Sequence, residues 1–183
     1  MRILSFVLIL LLSLTFLSGC TQPPEQDTGE DFVFTALDGT KKNLSDYRGK
    51  IVILDLWATW CQPCQIQMLE LRKVYENYSR NDLEILSIDI EQSETSQQIQ
   101  SFINAYKQYN YELTWTFGKD DGSIWSKYKV GQGGIPALCI FDKKGKLYFA
   151  HEGLAVLSET PQGYPQGLAQ LAPIINELLD KNQ

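Results

Sequence analysis

The chain has 183 residues, 44% of them hydrophobic and 21% charged, which is the balance of a globular protein and the length of one domain. Its net charge of −6, with no basic run, argues against nucleic acid or an anionic lipid surface as a partner. The single histidine and four cysteines show no metal-ligand spacing beyond one close cysteine pair, so neither a metal nor a cofactor is expected.

Residues 1–19 read as a signal peptide. Arg2 precedes an apolar run from Ile3 to Leu17, long enough for a signal core and marginal for a spanning helix. The run ends in Leu17-Ser18-Gly19-Cys20, which resembles the lipobox of bacterial-type lipoproteins. That resemblance implies lipidation at Cys20 after cleavage. The other reading is an uncleaved anchor with an incidental cysteine, and both place the domain outside the cytoplasm. Residues 20–30, polar and containing Pro23 and Pro24, read as a tether between lipid and domain, with the folded domain over 31–183.

Phe32-Val33-Phe34-Thr35 followed by Asp38-Gly39 reads as a strand entering a tight hairpin. Ile51-Val52-Ile53-Leu54 is too short for a helix and β-branched enough for a buried strand. Beyond Trp57 and Trp60 come Cys61 and Cys64, separated by Gln62 and Pro63. The period then changes, with Met68, Leu71, Tyr75 and Tyr78 at helical spacing. The cysteine pair therefore lies where a buried strand gives way to a helix N-terminus.

A sulfur at that position meets unpaired N–H groups and the positive end of the helix dipole, which favour its thiolate. Pro63 suits the first helical turn because it has no N–H to leave unpaired. Cys61 is the expected exposed nucleophile. Cys64, one turn on and sheltered, can close a Cys61–Cys64 disulfide and resolve a mixed disulfide.

Trp57, Ala58, Trp60, Cys61, Pro63 and Cys64 fall on W-A-x-W-C-x-P-C, and the segment resembles the active site of the thioredoxin family, in particular its membrane-anchored extracytoplasmic members of the TlpA/ResA type. Leu44–Arg48 resembles the lead-in of TlpA-like and peroxiredoxin-like proteins. The resemblance covers nearly all of the chain after about residue 30. It implies an α/β thioredoxin fold, a central mixed β-sheet flanked by helices, with an N-terminal β-hairpin extension and a central insertion. It also implies a thiol–disulfide oxidoreductase acting on disulfides of exported proteins, as in cytochrome c maturation, with electrons from a membrane thiol transporter. One departure is Leu69, where many relatives have a kinking proline.

Asp55 is a lone carboxylate in the apolar strand, six residues before Cys61. Burial would raise its pKa and let it exchange a proton near neutral pH. Cytosolic thioredoxins have at that position an acid that helps deprotonate the second cysteine, so the resemblance implies a proton-relay role for Asp55. The alternative is an inert, hydrogen-bonded strand-end aspartate.

Leu83–Ile90 reads as the next core strand of a βαβ unit, and Glu91 and Glu94 after it as surface or helix-capping acids. Ile99, Phe102, Ile103 and Tyr106 form one helix face in a segment that resembles the TlpA-like insertion. Trp115-Thr116-Phe117 suggests a short extra strand. Gly133-Gly134-Ile135-Pro136-Ala137 precedes the strand Leu138–Asp142, and an X-Pro bond there is a cis candidate. By resemblance, cis-Pro136 faces Cys61, Ile135 offers its backbone to a substrate peptide, and Gly134 lets the loop come close. Trp57, Trp60 and Pro63 would shape the same groove. Cys139 reads as a buried small hydrophobe, Ser158–Gln166 as a long loop, and Leu168–Leu179 as a closing helix made irregular by Pro173.

Two other classes of function compete. A peroxiredoxin-like thiol peroxidase would share the lead-in, but Ala58, not a threonine, stands three residues before Cys61. A non-catalytic thioredoxin-fold metal-binding or chaperone module would use Cys61 and Cys64 without turnover.

Overall fold

The computed structural model describes residues 29–181. The expected signal peptide, Cys20 and most of the expected tether lie outside the described residues. At the centre is β3 (Ile51–Trp57), whose seven residues are all buried. A strand covered on both faces is apolar at nearly every position, Asp55 being the exception here, which is why the run from Ile51 to Leu54 shows no alternation.

β3 pairs in parallel with β4 (Leu83–Asp89) and antiparallel with β6 (Ala137–Phe141). Together with β1 (Val33–Ala36), β2 (Lys41–Asn43), β5 (Thr116–Lys119) and β7 (Leu147–Glu152) it makes a seven-stranded mixed sheet in the order β2-β1-β5-β4-β3-β6-β7. Alternate residues of β3 face opposite layers. Ile51, Ile53 and Trp57 join a core with α1 (Gln62–Asn77), α2 (Ser96–Lys107) and α4 (Leu171–Asp180). Val52, Leu54 and Leu56 join a second core with Phe34, Leu44 and α3 (Ser123–Tyr128). This is the thioredoxin fold, with three layers and the sheet in the middle.

The hairpin extension and the insertion are not independent additions. β5, supplied by the insertion, pairs in parallel with β4 and antiparallel with β1, so it joins the hairpin to the core sheet. Thr95 caps α2 through a reciprocal capping box with Gln98. α1 runs without a break over Gln62–Asn77, Leu69 included.

The closing helix differs from expectation. It starts at Leu171, leaving Leu168 outside and Pro173 in the first turn, where the backbone N–H has no helical acceptor and its loss costs little. The long loop before it is pinned at both ends: β8 (Ala155–Val156) and β9 (Ala169–Gln170) form a small parallel pair. Two buried polar residues of α1 dock that pair. Gln67 Oε1 accepts from Ala155 N at 2.8 Å, and Glu70 Oε2 accepts from Leu157 N at 3.2 Å. Glu30, the last residue of the expected tether, rests against the domain. Its N–H donates to Gly145 O at 2.9 Å, and its carboxylate accepts from Tyr128 Oη at 2.6 Å.

Candidate active site

β3 ends at Trp57, and the chain turns through Ala58, Thr59 and Trp60 before α1 begins. Cys61 is the N-cap residue of α1, with extended backbone (φ −79°, ψ 100°), and its sulfur accepts from Cys64 N at 3.2 Å. The carbonyl of Ala58 accepts from Cys61 N at 3.1 Å, which closes the turn. Cys61 and Cys64 are joined by a disulfide, S–S 2.02 Å. Pro63 sits in the first turn of α1 and is exposed.

Over this ring lies the loop before β6. The Ile135–Pro136 peptide is cis, and Ile135 O stands 3.7 Å from Cys61 Sγ. A reduced Cys61 could donate to that oxygen. The loop corrects one expectation: Cys61 is only 3% exposed, against 0% for Cys64, so the nucleophile is not openly presented. The same site has two different walls. Trp60 is 63% exposed, with its ring N–H donating to Glu91 Oε2 at 3.3 Å. Trp57, expected to shape the groove, is wholly buried against Phe102 and Phe117 and can act only from behind.

Asp55 lies on the face of β3 that packs under α1, and it is fully buried. Its Oδ2 accepts from Ser87 Oγ at 2.8 Å, and that hydroxyl accepts from Trp115 Nε1 at 2.9 Å. Oδ1 has no hydrogen-bond partner among the described residues. Burial pushes the Asp55 carboxyl up to about 7, with the Ser87 hydrogen bond pulling the other way.

Behind the Ala58–Trp60 turn is a second acidic cluster, and it corrects the reading of Glu94 as a surface or capping acid. Glu94 is buried. Its carboxylate accepts from Thr59 N at 3.2 Å and from Thr59 Oγ1 at 2.6 Å, while Lys119 Nζ donates to its backbone carbonyl. Asp89, at the end of β4, accepts from Glu91 N at 2.6 Å. Burial, and then the neighbouring Glu94 carboxyl, raise the Asp89 pKa. The sequence signal for this cluster was weak, because Glu94 precedes a helix and so looked like a cap.

An open groove of about 590 Å³ runs along α1 from Gln62 and Pro63 past Ile66 and Leu69 to Tyr106. Cys139 is buried in β6, far from titrating, because burial pushes its thiol up to about 12. His151 stacks on Phe149. No group of three or more His, Cys, Asp or Glu among the described residues could hold a metal ion. No described helix is long and apolar enough to cross a membrane.

The profile of the AhpC/TSA family matches residues 26–150. Thiol-disulfide oxidoreductase ResA of Bacillus cereus is 33% identical over 118 residues, 64% of this chain and 63% of that protein. The thioredoxin-like protein YneN of Bacillus subtilis is 31% identical over 139 residues, 75% of this chain and 77% of that one. Among solved structures, the exposed lipoprotein thioredoxin of Streptococcus pneumoniae aligns with a TM-score of 0.56 at 25% identity, over 82% of this chain and 99% of that one. The chain thus spans a little under two thirds of the length of the ResA relatives it matches.

Proposed function

Since the chain belongs to the AhpC/TSA family of thioredoxin-like proteins, we propose that it is an extracytoplasmic thiol–disulfide oxidoreductase that reduces disulfides of exported proteins. The observation that carries this reading is the Cys61–Cys64 disulfide seated on the N-terminus of α1 beneath Ile135–Pro136.

In the reduced protein, the N-terminal N–H groups of α1 favour the Cys61 thiolate. That thiolate attacks one sulfur of the substrate disulfide. A mixed disulfide forms and the other substrate sulfur leaves as thiolate. Asp55, with a pKa near neutral, takes the proton of Cys64. The Cys64 thiolate attacks Cys61 Sγ, the mixed disulfide breaks, and the second substrate sulfur departs. Two electrons and two protons pass to the substrate, and the Cys61–Cys64 disulfide remains. An external dithiol must then reduce it, and a membrane thiol transporter is the partner that suits a lipid-anchored protein. Gln62 and Pro63 place no cation beside Cys61, which supports a reducing rather than a strongly oxidising couple. Cytochrome c maturation is one route that would need such a reductase. We assign the anchor to Cys20, the signal peptide to 1–19 and the tether to 20–30.

A thiol peroxidase is less well supported. Thr59 is the threonine near Cys61, and its hydroxyl is bonded to Glu94 rather than turned to the sulfur. The test is insulin reduction by the wild type and by Cys64→Ala. Turnover is expected in the wild type alone, with a mixed disulfide trapped on Cys61 in the variant. Absence of turnover in both would leave a binding or chaperone module, and peroxide-dependent oxidation outpacing insulin reduction would favour the peroxidase.

A further inference from the structure

Glu152, the last residue of β7, lies opposite Ala137 in the ladder with β6, directly behind the Ile135–Pro136 peptide. Its carboxylate does not point to solvent alone. Oε2 accepts from Gln132 N at 2.7 Å and shares Gly133 N, at 3.2 Å, with the Val130 carbonyl at 2.8 Å. The loop is shaped around this group. A Cβ at Gly131 would stand 2.4 Å from Oε2, and one at Gly134 would stand 2.8 Å from Oε1. Gly131 and Gly133 also have φ of 56° and 83°, so turning both amides toward one carboxylate uses the left-handed region where glycine is at ease. The next residues after these amides are Gly134 and Ile135, whose carbonyl approaches Cys61 Sγ.

We propose that Glu152 is a positioning residue for protein substrates: it clamps the loop of residues 131–134 so that the Ile135 backbone is held ready to pair with a substrate peptide over Cys61. The proposal rests on the oxidoreductase reading above and adds to it a residue that never touches the sulfurs. Loop amides bound to a charged acceptor are held more strongly than by a neutral one. An ordered loop spares a peptide the cost of ordering it on binding. A small disulfide reacts at the sulfurs alone and has no use for the Ile135 backbone.

The experiment compares wild type, Glu152→Ala and Glu152→Gln with insulin and with oxidised glutathione, alongside amide hydrogen exchange. Glu152→Ala is expected to raise KM for insulin about tenfold, the size set by losing two hydrogen bonds to a charged group, with kcat within about twofold. Glutathione turnover stays within about twofold. Glu152→Gln, which keeps an acceptor oxygen, recovers most of the KM. The Gln132 amide exchanges at least about tenfold faster in Glu152→Ala, while the Gly133 amide, still bonded to Val130 O, changes less. Equal loss with both disulfides, unchanged KM in Glu152→Ala, or unchanged amide exchange overturns the proposal. If the wild type reduces neither disulfide, the oxidoreductase reading fails, and amide exchange alone then decides whether Glu152 clamps the loop.

Discussion

Two buried acidic sites flank the strand-to-helix turn that holds Cys61, and their aspartates hold their protons to higher pH for different reasons. Asp55 is solitary: burial raises its carboxyl, and its one polar partner, the Ser87 hydroxyl, favours the charged form. Asp89 is paired: burial raises it too, and the adjacent Glu94 carboxyl adds to the shift, first by a hydrogen bond that favours the protonated Asp89 and then by like-charge repulsion. The partners also differ. Asp55 and Asp89 each keep one oxygen without a partner among the described residues, but Asp55 lies on the face of β3 that packs under α1, whereas Asp89 sits beside Glu94, whose oxygens are engaged by Thr59. In the proposed mechanism the first site trades a proton with Cys64. The second fastens the turn. A raised pKa alone therefore does not distinguish a proton carrier from a fastening, and the place of each acid relative to the sulfurs does.

Both sites tilt stability the same way with pH. Each acid keeps its proton in the folded state to a higher pH than in the unfolded chain. Stability is thus fully present below about pH 4 and is withdrawn as pH rises toward the folded pKa. For Asp55, moving from about 3.8 to about 7 corresponds to about 4 kcal/mol withdrawn by neutral pH, as an upper bound.

The largest expected effect comes from Asp55→Asn. Without a base behind Cys64, resolution of a trapped mixed disulfide should slow by about 10²-fold at pH 7, measured by quenched-flow release of substrate. The rise of that rate through pH 7 should vanish. Urea unfolding at pH 8 should show the variant more stable than the wild type, by up to about 4 kcal/mol. A variant that resolves as fast as the wild type would remove Asp55 from the chemistry and make the two sites equivalent.

Glu94→Ala should act on the fold before the rate. It frees the Thr59 amide and hydroxyl in a buried place, a cost of about 1–3 kcal/mol in urea unfolding. The pH at which resolution is half-maximal should stay where it is, since Asp55 is untouched. Glu94→Gln should retain an acceptor for Thr59 and remove the like charge beside Asp89, so its stability should fall less steeply above pH 4 than that of the wild type. A shift of the kinetic midpoint in either variant would mean that the paired site also feeds protons to the sulfurs.

The two sites also differ in how far sequence could reveal them. Asp55 was legible because a single charge stood in an otherwise apolar strand, and local pattern alone marked it. The cysteine pair was legible because the period changes across it within a few residues. The mixed sheet flanked by helices agrees with what the resemblance to the thioredoxin family implied, which rested on the motif around the cysteine pair. Glu94 was not legible, because its burial depends on a segment 35 residues from Thr59 folding back onto the turn. Gln67 and Glu70 carry no local sign of burial, since the amides that satisfy them come from Ala155 and Leu157, more than eighty residues on. The sheltering of Cys61 has the same origin: the covering loop is 74 residues away in sequence. Polar groups satisfied by distant backbone leave no periodic trace.

The finest test of the contrast is Ser87→Ala. Ser87 Oγ donates to Asp55 and accepts from Trp115 Nε1, so the side chain both favours the Asp55 carboxylate and is itself held in place. Removing the hydroxyl takes away the hydrogen bond that opposes burial, and the Asp55 pKa must rise further above its present value of about 7. A hydrogen bond to a charged oxygen corresponds to about one pH unit, so the midpoint of the resolution rate should move upward by about that much. The plateau at high pH should be unchanged, because the ionised Asp55 is still there to accept the proton. Ser87→Thr, which keeps a hydroxyl, should restore the midpoint. A midpoint that ignores Ser87 would mean that the titration belongs to another group, and the solitary site would lose its claim to be the proton carrier.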